Sequence, residues 1–184
     1  MQKKETDLSS FTNNWYKPGK SILTQTAWYF ISVIFFKSAF PLNYVKISLL
    51  KLFGAKVGKA VVIKPHITIK YPWRLTIANH VWIGEYVWID NLADVLIEDH
   101  VCLSQGAMLL CGNHDYKKPC FDLMIGNIHL KKGSWIGAKS VVCPGVIVGS
   151  HAVLSVGSVA TKNMNEYTIY QGNPAQAVKE RVIS

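Results

Sequence analysis

From Val57 onward an aliphatic residue returns at every sixth position. The run is Val57, Ile63 and Ile69, then Ile77, Ile83 and Ile89, then Ile97, Leu103 and Leu109. After a gap it resumes with Leu130, Ile136, Val142, Val148, Leu154 and Ala160. Fourteen of these fifteen positions are Ile, Leu or Val. The position four further on is mostly small or β-branched, as at Val61, Val101, Ala107, Ser140 and Ala152. A helix repeats near 3.6 residues and a half-buried strand every second residue, so neither alone fits. A period of six predicts short strands joined by tight turns, each strand giving one side chain to an inner corner. Three such faces close a triangular coil of about 18 residues. Coils stack at about 4.8 Å, the strand spacing, so the inner residues form columns. The interior of so narrow a prism offers no water and no polar partner, which requires the columns to be aliphatic. The predicted class is all-β, a parallel β-helix over residues 57–164, followed by a closing segment at 165–184.

The coil lengths locate one special edge. Val57 to Ile77 and Ile77 to Ile97 are 20 residues each, whereas Leu130 to Val148 is 18. The first two coils therefore carry two extra residues after their third strand, near Tyr71–Arg74 and Asn91–Asp94. The third carries about fifteen extra at the same place, in the excursion loop 110–129. All three excursions leave the same corner of the prism, and long loops on a rigid scaffold commonly hold function.

Residues 1–56 read differently. An apolar run from Ala27 to Phe36 is broken only by Ser32 and closed by Lys37 and Pro41. It is shorter than the roughly 20 residues that span a bilayer. A second run, Tyr44 to Phe53, has apolar positions at helical spacing and a Gly54 stop. About twenty polar residues precede the first run, which does not fit a signal peptide. Two readings of residues 20–53 stay open. They are a helical pair packed on the prism or on a neighbouring subunit, or an interfacial membrane anchor with Trp15, Trp28 and Tyr29 at headgroup depth.

Charge separates the two regions. The net charge is +9, and residues 1–59 carry nine Lys against Glu5 and Asp7. Such a surface suits an anionic membrane or a phosphorylated ligand. Nucleic acid is disfavoured, because no helix-turn-helix, RNA-recognition or zinc-finger pattern is present. Cys102, Cys111, Cys120 and Cys143 form no CxxC pair, so buried thiols in a reduced, cytoplasmic compartment are expected.

The long loop reads Leu110-Cys111-Gly112-Asn113-His114-Asp115-Tyr116-Lys117-Lys118-Pro119-Cys120-Phe121-Asp122-Leu123. GNHDY followed by P-x-F-D-L, with GNPA at Gly172–Ala175, resembles the colanic acid biosynthesis type of hexapeptide-repeat O-acetyltransferase. It is similar, more distantly, to galactoside and maltose acetyltransferases. The resemblance covers residues 57–184. It implies a left-handed winding, a homotrimer with active sites between prisms, and transfer of acetyl from acetyl-CoA to a saccharide hydroxyl. It also implies an acceptor built on a lipid carrier at the cytoplasmic face of the membrane, a location that the anchor reading of residues 20–53 would suit.

The same resemblance implies residue roles. His114 would be the general base, a task suited to an imidazole whose ordinary pKa is about 6.5. Asp115 or a backbone carbonyl would orient it. Asp90 or Asn91 would bind the acceptor. Trp135, Thr161, Lys162 and Lys179, helped by Arg181, would line the coenzyme groove, and the Ala138 N–H would face the oxyanion. Gln176 stands where relatives carry a basic residue. Asn173-Pro174-Ala175-Gln176 reads as the cap of a short closing helix. No metal is expected. Two other classes are weighed. A zinc-dependent carbonic anhydrase would use His80 and His100, which fall at equivalent positions of successive coils, but it lacks a close His pair. A non-catalytic assembly platform has no need of His114 on a long excursion.

Overall fold

The computed structural model describes residues 5–184; Lys3, Lys4 and the start of the 1–56 extension lie outside the described residues. Three parallel sheets form the sides of a prism. The first face stacks Lys56–Val57, Leu75–Ile77, Val95–Ile97, Ile128–Leu130 and Ile147–Val148. The second stacks Val62–Ile63, Trp82–Ile83, Cys102–Leu103, Trp135–Ile136, Val153–Leu154 and Thr168–Gly172. The third stacks Thr68–Ile69, Trp88–Asp90, Met108–Leu110, Val141–Val142 and Val159–Ala160. The register keeps the six-residue beat in columns, as in Ile63↔Ile83↔Leu103↔Ile136↔Leu154. Every beat residue from Ile63 to Ala160 is buried, and Val57, in the first strand, is half-buried. The positions four beyond the beat, Val61 to Ser158, are buried too and fill the corners, except at two excursions, where Trp73 is half-buried and Asn113 exposed.

The corners explain residues that look out of place in a β-rich chain. Three positions after the beat the backbone turns left-handed, with φ between 57° and 60° at His66, His80, His100 and His151. Side chains there project from one coil over the next. The His80 and His100 rings stack at 5.0 Å and 2°. Gly133 occupies the next place in that column, at φ +69°, and a Cβ there would sit 2.4 Å from the His151 ring. Glycine is required for both reasons. Gly137 solves a different problem. A Cβ on it would meet the Leu154 carbonyl oxygen of the next coil at 2.6 Å.

A stacked coil leaves an unpaired strand edge at each end. At the first end, helix α1 (Ile22–Ile31) runs into a π-turn (Ser32–Phe36), and helix α2 (Asn43–Leu52) follows. Ser21 caps α1 by accepting from the Thr24 N–H. The pair saturates the first coil's edge. The backbone N–H groups of His66 and Ile67 donate to the carbonyls of Ser38 and Phe36. The Asn43 side chain donates to the Val61 carbonyl and accepts from the Ile63 N–H. Lys46 Nζ, wholly buried, donates to the carbonyls of Ile63 and Lys64 at 3.4 and 3.0 Å. Burial holds its ammonium below the usual lysine range. Trp28 Nε1 donates to the Ile69 carbonyl at 2.9 Å, and its ring packs on Phe36 and Phe53. Trp28 is therefore core and not a headgroup anchor; of the three aromatics considered for that role, Trp15 and Tyr29 are exposed.

The other end corrects the expected closing helix. Thr168–Gly172 joins the second face, and Ala175–Glu180 folds back on it antiparallel across a cis Asn173–Pro174 turn. The free edge of Val153–Leu154 offers backbone partners to an incoming strand. Local capping signals at Asn173 compete with that offer and lose.

A cleft at the excursion corner and a groove on the second face

The three excursions stack as the spacing requires. The buried Asn91 side chain accepts from the Tyr71 N–H at 2.9 Å and donates to the Tyr71 carbonyl at 2.6 Å. The Cys111 N–H donates to the Asp90 carbonyl. Above them the long loop forms a hairpin, Gly112–His114 against Leu123–Ile125. Its tip is tied by Asp122, which accepts from Lys118 Nζ at 2.8 Å and from the Cys120 thiol. Those two hydrogen bonds, the thiol's foremost, hold the Asp122 carboxyl below the usual carboxylate range.

His114 ends the first strand of that hairpin. Its Nδ1 lies 2.8 Å from the Phe121 carbonyl oxygen. A carbonyl can only accept, so the proton resides on Nδ1 and the Nε2 lone pair is left unshared. The imidazole stacks on Phe121 at 4.7 Å and 11°, and Phe11 covers it at 5.7 Å. Phe121 adopts φ 54°, a left-handed value that bulky residues avoid, while its own N–H donates to the Lys118 carbonyl. That turn aims the carbonyl at the ring. Asp115 does not. Its Oδ1 accepts from the Lys117 N–H, and its backbone N–H donates to the Asp122 carbonyl.

Sequence reading missed the other wall of the cleft. Residues 7–18 run over the excursion corner. The Asp7 N–H donates to the Pro119 carbonyl, Tyr16 Oη to Leu92, and Trp73 Nε1 to Pro18. Phe11, Asn13 and Tyr16 thus line a cleft of about 440 Å³ with Lys70, Tyr71 and His114. Burial pushes the Tyr16 phenol up to about 12, so it remains a donor. The cluster FTNNWY inside a polar stretch was the available signal. Lys70 and Tyr71 also line an adjoining groove of about 310 Å³, where Lys70 pairs with Asp90 at 3.0 Å. Asp90 thus faces the adjoining groove beside the cleft. Asn91 does not, because both ends of its amide are consumed by Tyr71.

A second concavity, about 480 Å³, lies on the second face. Trp135 forms one wall, its Nε1 donating to Ser104 Oγ at 2.8 Å, and Ala138, Val156 and Ile169 form others. Among the described residues the Ala138 N–H donates to no acceptor. Lys179 is the cross-strand partner of Ile169, which lines the groove; Lys179 itself does not line it. Thr161 and Lys162 are exposed beyond the end of the third face and do not line it. Arg181 is elsewhere. It donates to the Gly133 and His151 carbonyls at 3.1 Å each and pins the tail across the histidine corner. The groove and the His114 cleft share no lining residue. Among the described residues, no three His, Cys, Asp or Glu side chains are gathered to hold a metal ion.

Comparison with known proteins gives a consistent picture. No family model matches the chain. It is 34% identical over 177 residues to the protein of Escherichia coli assigned as the colanic acid biosynthesis acetyltransferase WcaF, covering 96% of this chain and 97% of that one. A hexapeptide-repeat acetyltransferase of Vibrio cholerae, solved with acetyl-coenzyme A, superposes with a TM-score of 0.78 at 19% identity, over 88% of each chain. A galactoside acetyltransferase solved with coenzyme A superposes with a TM-score of 0.77 at 22% identity, over 86% of this chain and 80% of that one. At those identities the two superpositions speak for the fold.

Proposed function

The chain belongs to the hexapeptide-repeat acetyltransferases of the colanic acid biosynthesis type, and from that membership we propose that it acetylates a hydroxyl of a saccharide at His114. It is an acetyl-CoA-dependent acetyltransferase. The acceptor we infer is an exopolysaccharide or a lipid-linked saccharide intermediate, met in the cytoplasm. The left-handed sense of the coil and assembly as a homotrimer belong to the same proposal.

The observation that carries the reading is the Nδ1–Phe121 hydrogen bond, which leaves Nε2 as the one basic position of the ring. A saccharide hydroxyl in the cleft gives its proton to Nε2 as its oxygen attacks the thioester carbonyl carbon. The resulting oxyanion accepts from the Ala138 N–H, the kind of fixed donor that stabilises such charge. The carbon–sulfur bond then breaks, and the His114 proton passes to the departing thiolate. The phenyl groups of Phe11 and Phe121 keep water off the ring and fix its plane. Asp90, buttressed by Lys70, and the polar groups of Asn13 and Tyr71 are suited to hold sugar hydroxyls. Trp135 and Lys179 suit the pantetheine arm and the phosphates of the coenzyme.

The His114 cleft and the Trp135 groove have no lining residue in common. We infer that the cleft of one copy faces the groove of its neighbour in an oligomer with shared sites, so that one thioester reaches both. The test is thiol release from acetyl-CoA against a panel of sugars and lipid-linked saccharides, with mass spectrometry of the product. A base-labile acetyl ester on a saccharide is expected. Turnover with amines alone, or with no saccharide, contradicts the proposal.

A further inference from the structure

Helix α1 and its π-turn bury Trp28 and Phe36 against the prism, yet their other side is apolar as well. Ile22, Leu23, Tyr29, Phe30, Val33 and Ile34 are all exposed, from 42% for Val33 to 78% for Leu23. Tyr29, Phe30, Val33 and Ile34 recur at i, i+3/i+4 spacing, and Ile22 and Leu23 stand seven residues, about two turns, earlier with exposed Thr26 and Ala27 between, so all six lie on one outer face. A stripe of this kind on a soluble surface marks an interaction site. The charge around it identifies the partner. Residues 21–36 contain no charged side chain, and Lys20 and Lys37 stand at the two ends. Residues 8–84 contain no Asp or Glu, so this stretch supplies no carboxylate to Lys20 and Lys37; of its other cations, Lys46 is buried and Lys70 and Arg74 are paired with Asp90 and Asp94. A second copy packed stripe to stripe would bring the same two lysines and no carboxylate from this stretch. An anionic lipid surface offers the complement to both features: acyl chains for the stripe and phosphates for the lysines.

We propose that the outer face of α1 is an interfacial membrane-docking surface that lies in the headgroup–acyl boundary of an anionic leaflet, without crossing it. No helix among the described residues is long and apolar enough to span. Tyr29 sits at the stripe's edge with Lys37 over its ring at 5.7 Å, the arrangement of an aromatic at headgroup depth beside a lipid-facing cation. Tyr29 also walls the groove that ends at Lys70 and Asp90. Docking on this face therefore holds the acceptor side of the molecule at the lipid surface. The docking itself does not depend on the acetyl-transfer reading; only its consequence for the acceptor side rests on that reading.

The test is co-sedimentation of the full-length protein with vesicles of phosphatidylglycerol and phosphatidylethanolamine, beside vesicles of phosphatidylcholine. The wild type is expected to sediment with the anionic vesicles, less with the neutral ones, and less again as salt screens the lysines. Phe30→Ser with Ile34→Ser removes two insertion groups and should lower partitioning by at least about tenfold. Phe30→Ser alone, a milder change, should give a smaller loss in the same direction. Circular dichroism, oligomer size and thiol release by the unbound variants should be unchanged. A wild type that stays in the supernatant, or variants that sediment as well as it does, would overturn the proposal. So would variants that bind lipid normally but change oligomer size, which would assign the stripe to contact between copies.

Discussion

His114 is held by a group distant in sequence. Phe121 lies seven positions further along, and the hairpin returns its carbonyl to Nδ1. The coil lengths singled out the loop, and the resemblance carried by its GNHDY segment singled out His114 within it. Its partner could not be read, because a backbone carbonyl has no signature in the side-chain alphabet. Asn91 shows the converse error. An Asn beside a site invites a ligand role, but this one is buried and spans the Tyr71 peptide with both ends of its amide. Asn91→Ala should cost about 1–3 kcal/mol for each backbone group left unpaired. Urea midpoints should fall accordingly, while the KM for acetyl-CoA in the folded fraction stays near that of the wild type. A variant of normal stability with a specific loss of acceptor affinity would restore the ligand role.

At the scale of elements, the prism was legible and its two ends were not. Six-residue periodicity fixes which side chains turn inward, whatever surrounds them, and coil-length differences fix the corner where chain must leave. The ends depend on partners the periodicity cannot specify. The second apolar run reads as a helix, but only packing shows that its Lys46 enters the prism mouth to meet two carbonyls. Asn173-Pro174 reads as a helix cap, and an open strand edge turns it into a hairpin. Lys46→Ala should cost about 2–4 kcal/mol through the lost stem and the lost hydrogen bonds. A pH dependence follows from the lowered lysine pKa. Between the folded value and the ordinary one near 10.4, the unfolded chain binds more protons, so this group's contribution raises stability as pH rises through that window. Lys46→Met keeps the stem and cannot titrate. The stability difference between wild type and Lys46→Met should move in favour of the wild type as pH is raised towards 10, measured by urea unfolding. A constant difference would mean that the ammonium is not desolvated.

For the whole molecule, one prism carries the His114 cleft at its excursion corner and the Trp135 groove on its second face. The N-terminal segment, taken from the sequence as a cap or an anchor, also supplies Phe11, Asn13 and Tyr16 to the cleft. Its role was hidden because an irregular strap has no periodicity to detect. If cleft and groove meet across copies, subunits dead for different reasons can rescue one another. Co-expressed His114→Ala and Val156→Trp subunits, the second with a bulky ring at the exposed groove-lining position, should form mixed oligomers that regain a fraction of wild-type turnover. Mixtures no better than either variant alone would place both halves within one copy. The account as a whole turns on the imidazole. With acetyl-CoA and an active saccharide acceptor, His114→Ala should lower kcat by about 10²–10⁴-fold, with coenzyme binding and thermal unfolding close to wild type. Turnover within a few fold of wild type in that variant would contradict it.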